Sequence, residues 1–277
     1  MTSHAAEIDA WRARRVARLT APDGWLSVVG LSWLEEGENS VGSAPGARVA
    51  LPSRAPARVG TIRLESGRAV FTASPGVAAE IEGRPAAGAT PLKSDADGGP
   101  TAVTAAGVSF YPISRQGKLA IRVKDPESEA RRSFRGLEYF PVDSSWRVEA
   151  RVEPPADAGR ISVPNVLGTD TSEASPGTLV FERGGATYRL TPVLEEGETD
   201  WFVIFGDATN GRDTYGAGRF LYVAPAKDGR TVIDFNKAYN PPCVFTDYAT
   251  CPLPPPGNRL PIRVEAGEKE YGHGGGR

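Results

Sequence analysis

The sequence predicts a mainly β protein: an antiparallel sandwich or barrel in two packed halves, with an N-terminal amphipathic helix. Three observations predict this class. Glycine (32 residues) and proline (24 residues) recur at short intervals as turn signals. Several segments alternate apolar and polar residues, as half-buried strands do. Two pairs of such segments are separated by two-residue turn signals, which is typical of hairpins.

The N-terminal segment predicts the helix. At about 100° per residue, one arc of it contains the apolar residues Ile8, Trp11, Val16 and Leu19. Arginines fill most of the remaining surface, and we expect Trp11 to pack the helix on a sheet. Binding to a membrane surface is disfavoured, because the apolar stripe is thin and two acidic residues dilute the positive charge.

The strands are predicted from alternation and from turns. Lys118–Lys124 and Trp146–Val152 alternate cleanly. Two hairpins are expected, one at Gly184-Gly185 and one at Asp228-Gly229. Their paired strands are Thr178–Arg183 with Ala186–Leu190, and Arg219–Val223 with Thr231–Phe235.

A charged stretch from Pro126 to Arg135 interrupts the strand pattern. It predicts a boundary between two domains. Residues 1–125 would form the helix and a first β-sandwich, and residues 126–277 would form a C-terminal β domain that carries the candidate pocket.

Composition excludes several classes of partner. The chain has 277 residues and a formal net charge of −2, so it has no general attraction for nucleic acids or anionic lipids. No apolar stretch approaches the roughly 20 residues that a membrane-spanning helix needs. The first residues lack the apolar region of a secretory signal, which predicts a cytoplasmic protein.

The rare residues restrict the chemistry. The two histidines, His4 and His273, lie near the chain ends, which disfavours catalysis by imidazole. Cys243 and Cys251 lack the close spacing of zinc ligands and are expected to be reduced. We therefore predict no metal site, although a carboxylate-bound Mg²⁺ or Ca²⁺ stays open. Standard nucleotide-binding motifs are absent, and the sequence assigns no cofactor.

Polar residues that are costly to bury are concentrated in the C-terminal block. They predict a pocket for a small polar or anionic molecule, because arginine suits carboxylates and phosphates and asparagine suits hydroxyls and amides. The candidate ligand-binding residues are Asp207, Thr209, Arg219, Asn236, Asn240 and Asn258.

The sequence does not decide whether the protein is an enzyme, but it offers candidates for the catalytic roles. Asp234 or Glu268 would be the acid or base, and Tyr239 or Lys269 the proton donor. The predicted hairpin would place Arg219 and Asp234 at the same sheet edge, where Arg219 would stabilise negative charge. In the structural alternative, Arg219 and Asp234 form an ion pair that fixes the strand register.

Several distinctive segments are spread over nearly the whole chain: Trp25–Leu34 with Gly42-Ser43, Phe205–Leu221, Asp234–Cys243, Cys251–Pro255 and Ala266–Lys269. Together they resemble the prokaryotic family called domain of unknown function 1684 (DUF1684), and the C-terminal part of the resemblance is the most distinctive. The resemblance implies no established activity.

The first half also resembles forkhead-associated sandwiches, in segments such as Gly37–Ser43 and Leu51–Ala57. Those domains read phosphothreonine with an arginine after the first glycine, a Ser-Arg pair and a nearby histidine. The pair is present here as Ser53-Arg54, whereas Ser43 and Pro56 stand at the positions of the other arginine and the histidine. The resemblance implies a shared fold without the phosphate site. It also supplies an alternative function, a non-catalytic module that binds a protein partner through this half.

Overall fold

The structure is a computed structural model that describes residues 3–155 and 157–272. It is mainly β with antiparallel sheets and an N-terminal helix, which confirms the predicted fold class. The described residues form two compact units. The C-terminal unit contains Arg135–Phe245, the chain from Thr250 onward and the N-terminal segment up to Ala17; the N-terminal unit contains Arg18–Phe134 and Thr246–Ala249. This division differs from the predicted domains in grouping the first part of the helix with the C-terminal unit.

Helix α1 extends over His4–Thr20. Ile8 and Leu19 are buried and Trp11 is half-buried, as the apolar stripe predicts. The Trp11 ring lies 6.4 Å from the ring of Tyr239 in the C-terminal unit. Among the helices of the described residues, none is long and apolar enough to cross a membrane.

The N-terminal unit is a sandwich of two sheets. Its strand orders are β1-β11-β10-β9-β6-β7 and β3-β2-β4-β5-β8, with a short helix α2 (Glu129–Arg132) after β11. Between the sheets lies an apolar core in which Phe71 and Phe110 pack edge to face at 5.7 Å. The strands are β1 (Val28–Trp33), β2 (Gly37–Gly42), β3 (Val49–Ala50), β4 (Gly60–Glu65), β5 (Arg68–Ala73), β6 (Ala79–Ile81), β7 (Arg84–Pro85), β8 (Ala89–Leu92), β9 (Val103–Ala105), β10 (Val108–Arg115) and β11 (Lys118–Lys124).

The C-terminal unit contains a four-stranded sheet, β16-β15-β12-β19, and two two-stranded sheets, β13-β14 and β17-β18. Its core is aromatic: the Phe235 ring packs on Trp146, Phe181 and Phe205 at 5.5–5.7 Å. The strands are β12 (Arg147–Glu153), β13 (Arg160–Pro164), β14 (Asp170–Ala174), β15 (Thr178–Arg183), β16 (Ala186–Leu190), β17 (Trp201–Phe205), β18 (Arg219–Val223) and β19 (Arg230–Asp234).

One predicted hairpin is confirmed and the other is wrong. Strands β15 and β16 pair around Gly184 and Gly185, whose φ angles of 58° and 78° suit a tight hairpin turn. The turn at Asp228-Gly229 also forms, because Lys227 and Arg230 bond each other across it. The strands beyond it separate, however, since β18 pairs with β17 and β19 pairs with β12. Arg219 and Asp234 therefore belong to different sheets.

Candidate functional site

A cleft of about 300 Å³ lies in the C-terminal unit, between α1 and the ends of β12, β18 and β19. Three aromatic rings line it, from Trp11, Tyr222 and Tyr239. The Tyr222 and Tyr239 rings are nearly parallel, with centroids 6.3 Å apart and planes 12° apart. The hydroxyl of Tyr222 donates a hydrogen bond to Glu195 Oε2 at 2.6 Å, and burial raises the pKa of Tyr222. The charged residues of the lining are Glu7, Arg147, Asp200, Asp234 and Lys237.

Asp234 is the most constrained carboxylate of the cleft. It ends β19, and its Oδ1 accepts hydrogen bonds from the backbone N–H and the side-chain amide of Asn236, at 3.1 and 2.9 Å. Its Oδ2 lies 2.8 Å from Nε2 of His4, the first residue of α1. The Asn236 amide also donates to the Asp143 carbonyl at 2.9 Å, which fixes the turn after β19. Asp234 is thus held in one orientation at the cleft.

The remaining charges of the cleft differ in whether they are paired. Lys237 Nζ lies 2.5 Å from Glu7 Oε1, and this contact lowers the pKa of Glu7. Arg147 and Asp200 are exposed, and within residues 3–155 and 157–272 neither side chain has a hydrogen bond or an ion pair. One cation and one carboxylate of the cleft are therefore available to a ligand.

Glu268 lies outside the cleft lining and is fully buried. Its Oε1 accepts a hydrogen bond from Arg15 Nε at 2.9 Å, and its Oε2 accepts one from the Asn240 backbone N–H at 2.8 Å. Asn240 donates through its amide to the Lys269 carbonyl at 2.7 Å. The Lys269 ammonium lies 5.2 Å from the centroid of the Phe140 ring. Glu268 thus bonds to α1 through Arg15, and two further candidates, Asn240 and Lys269, lie next to that contact.

Arg219 is fully buried and also lies outside the lining. Its guanidinium donates to Asp207 Oδ2 at 2.8 Å and to the carbonyls of Val264, Ala266 and Glu268 at 2.9, 2.5 and 3.2 Å. Burial lowers the pKa of Arg219, and the nearby Asp207 carboxylate opposes that shift. The predicted shared sheet edge of Arg219 and Asp234 is wrong, because β18 and β19 do not pair. Arg219 does form a buried ion pair, but its partner is Asp207 and not Asp234 as the structural alternative expected.

Asp207, Thr209 and Asn258 are likewise bonded within the protein. Asp207 Oδ1 accepts from the Thr209 backbone N–H and hydroxyl at 2.8 and 2.6 Å, and from the Val264 N–H at 3.1 Å. Asn258 donates to the carbonyls of Thr191 and Ile204, both at 2.9 Å. Of the ten predicted site residues, the lining includes only Asp234 and Tyr239.

Sequence reasoning missed the contribution of α1. His4 was discounted because of its place near the chain end, whereas the structure pairs it with Asp234; His273 lies outside the described residues. His4, Glu7, Trp11 and Arg15 follow one another at helical spacing, so they share one face of α1. This spacing was the available signal. Arg147, Asp200 and Tyr222 carry no comparable pattern.

Within the part of the chain that the structure describes, no group of three or more His, Cys, Asp or Glu side chains is arranged to hold a metal ion.

Comparisons with known proteins place this site in a family without a known activity. Residues 132–269 match the model of the family "Protein of unknown function (DUF1684)". These residues belong to that family, over a shorter range than the nearly whole-chain resemblance. An uncharacterized protein of Haloarcula marismortui, solved by solution NMR, is 34% identical to this chain, with a TM-score of 0.42. The match covers 50% of this chain and 78% of that one. No curated protein matches the sequence.

The forkhead-associated resemblance of the first half stays a prediction. Arg54, the arginine of its Ser-Arg pair, is bonded to the Asp125 carboxylate through Nε and Nη2 and to the Ala106 carbonyl through Nη1 at 2.6 Å. Because Asp125 and a carbonyl already occupy its donors, this guanidinium is not arranged to bind a phosphate.

Proposed function

We propose that the C-terminal unit binds a small polar molecule with an anionic group in the cleft between α1 and strands β12, β18 and β19. The observation that carries the proposal is that the Arg147 guanidinium, which has no partner among the described residues, lines the same cleft as three aromatic rings. Arginine recognises carboxylates and phosphates through a rigid fork of donors. A volume of about 300 Å³ is at the small end of ligand pockets, which suits a metabolite.

Each wall of the cleft has a role in this proposal. Arg147 contacts the anionic group, and the rings of Trp11 and Tyr239 contact the less polar part of the ligand. Asp234 and Asp200 accept hydrogen bonds from its hydroxyl or amino groups. Arg219, which is buried, supports the unit without touching the ligand.

The test is a thermal-shift screen of the full chain against carboxylated and phosphorylated metabolites. A ligand at 100 times its Kd adds about 2.7 kcal/mol to the free energy of unfolding, which raises the Tm by several degrees. Arg147→Ala is expected to remove the shift. Arg230→Ala is the matched control, because Arg230 lies on the adjacent strand with a side chain 75% exposed. A shift that survives in Arg147→Ala would overturn the proposed anion contact, and a panel that shifts nothing would overturn the ligand class.

The contact between His4 and Asp234 favours a second candidate, acid–base catalysis on the bound molecule. A carboxylate that holds an imidazole in one orientation is a recurring arrangement in proton transfer. Asp234→Asn is then expected to retain the thermal shift while losing conversion of the ligand, followed by mass spectrometry. If the ligand is chemically unchanged after incubation with wild type, catalysis is contradicted and the cleft only binds the ligand.

A further inference from the structure

The two cysteines of the chain lie side by side in the C-terminal unit. The Cys243 backbone N–H donates a hydrogen bond to Cys251 Sγ at 3.1 Å. Both residues are thiols in the structure. Cys243 is partly exposed, whereas Cys251 is only 4% exposed. Cys243 is thus the more accessible of the two residues to a dissolved reagent.

The surroundings keep both residues in place. Asn240, shortly before Cys243, is bonded through its backbone to Glu268. The Cys251 carbonyl accepts a hydrogen bond from the Val166 N–H at 3.1 Å. Because the backbone is fixed on both sides, joining the sulfurs needs little ordering of the chain.

The hydrogen bond to Cys251 favours reaction at this pair. A backbone N–H directed at Cys251 Sγ stabilises its thiolate, which is the reactive form of a cysteine. Tyr215 lies near both thiols: burial raises its pKa first, and charge on Cys243 and Cys251 raises it further. Both cysteines thus lie close to the Tyr215 phenol.

We propose that Cys243 and Cys251 form a reversible intramolecular disulfide, a redox modification site distinct from the cleft. With glutathione disulfide as the oxidant, the Cys243 thiolate attacks one sulfur, the glutathione S–S bond breaks, and one glutathione leaves as a thiolate. The Cys251 thiolate then attacks Cys243 Sγ and releases the second glutathione. The two cysteines lose two electrons, which reduce one glutathione disulfide, and their two protons end on the two glutathione thiols.

The test is mass spectrometry of the full chain after incubation with glutathione disulfide and denaturation under acid. Wild type is expected to lose two hydrogen atoms, retain no glutathione and regain both thiols with dithiothreitol. Cys251→Ser is expected to accumulate glutathione on Cys243, because the resolving thiol is gone. Cys243→Ser is the matched control and is expected to stay largely unmodified, because Cys251 is buried.

Three results would overturn the proposal: wild type with two unreacted thiols, wild type with glutathione retained on Cys243, or a covalent dimer. The wild-type measurement decides by itself, so a serine variant that fails to fold does not affect the conclusion. The outcome is independent of the ligand screen, since neither cysteine lines the cleft.

Discussion

Substitution of Arg219 by methionine separates the ligand-binding and structural interpretations of this residue. The guanidinium is fully buried and makes four hydrogen bonds, one of them to the Asp207 carboxylate. Arg219→Met retains an apolar side chain in place of the aliphatic part of the arginine, but it leaves the Asp207 carboxylate buried without its cation. Breaking a buried ion pair on one side typically costs about 3–5 kcal/mol of the free energy of unfolding. For a unit of this size, that loss lowers the Tm by about 10 °C.

The assay is urea denaturation followed by far-UV circular dichroism, with a double variant as the internal comparison. Asp207→Asn retains an acceptor for Thr209 and removes the charge. Arg219→Met combined with Asp207→Asn is therefore expected to be more stable than Arg219→Met alone. A loss below about 1 kcal/mol in Arg219→Met would refute the reasoning, because a fully buried ion pair cannot be that weak when one partner is removed.

Three further predictions concern other charged contacts. Burial raises the pKa of Glu195, so its contribution to stability is complete below pH 4.5, the ordinary value for this group, and is lost as the pH rises through the folded value. As the pH rises above 4.5, the urea midpoint of wild type should thus fall relative to the midpoint of Glu195→Gln. Glu268→Gln removes the charge that pairs with Arg15, so the amides of α1 should exchange hydrogen faster. Arg54→Ala removes the bond to Asp125 and should cost about 1–2 kcal/mol in urea denaturation without altering any ligand-induced shift.

Local patterns were sufficient to predict many of the strands. Lys118–Lys124 and Thr178–Arg183 form strands with the predicted bounds. The first was predicted from its alternating residues and the second from the two-glycine turn that follows it, and both signals depend only on neighbouring residues. Pairing partners depend on distant segments instead. The Asp228-Gly229 turn forms as predicted, yet β19 pairs with β12, because the turn signal specifies two residues and says nothing of the strands beyond them.

The same limit explains the predicted site. Buried polar residues were correctly expected to be paired or functional, but the sequence could not separate these two outcomes. Asp207 lies twelve residues before Arg219 in the chain. The turns of the segment between them bring the Asp207 carboxylate to the Arg219 guanidinium. Asp234 and Tyr239 were found because they belong to the concentration of polar residues in the C-terminal block. Arg147, an ordinary alternating residue of β12, gives no signal until its strand is placed beside β19.

Helix α1 shows why the family match does not delimit the site. The match begins at residue 132, yet Glu7 and Trp11 line the cleft and Arg15 neutralises Glu268. Without α1, Glu268 would lose the guanidinium that compensates its burial, and Asp234 would lose the imidazole of His4. Residues 132–269 alone would therefore contain eight of the ten lining residues and two carboxylates without their α1 partners. It follows that the proposed ligand site depends on the chain that includes α1, and that binding has to be measured on that chain.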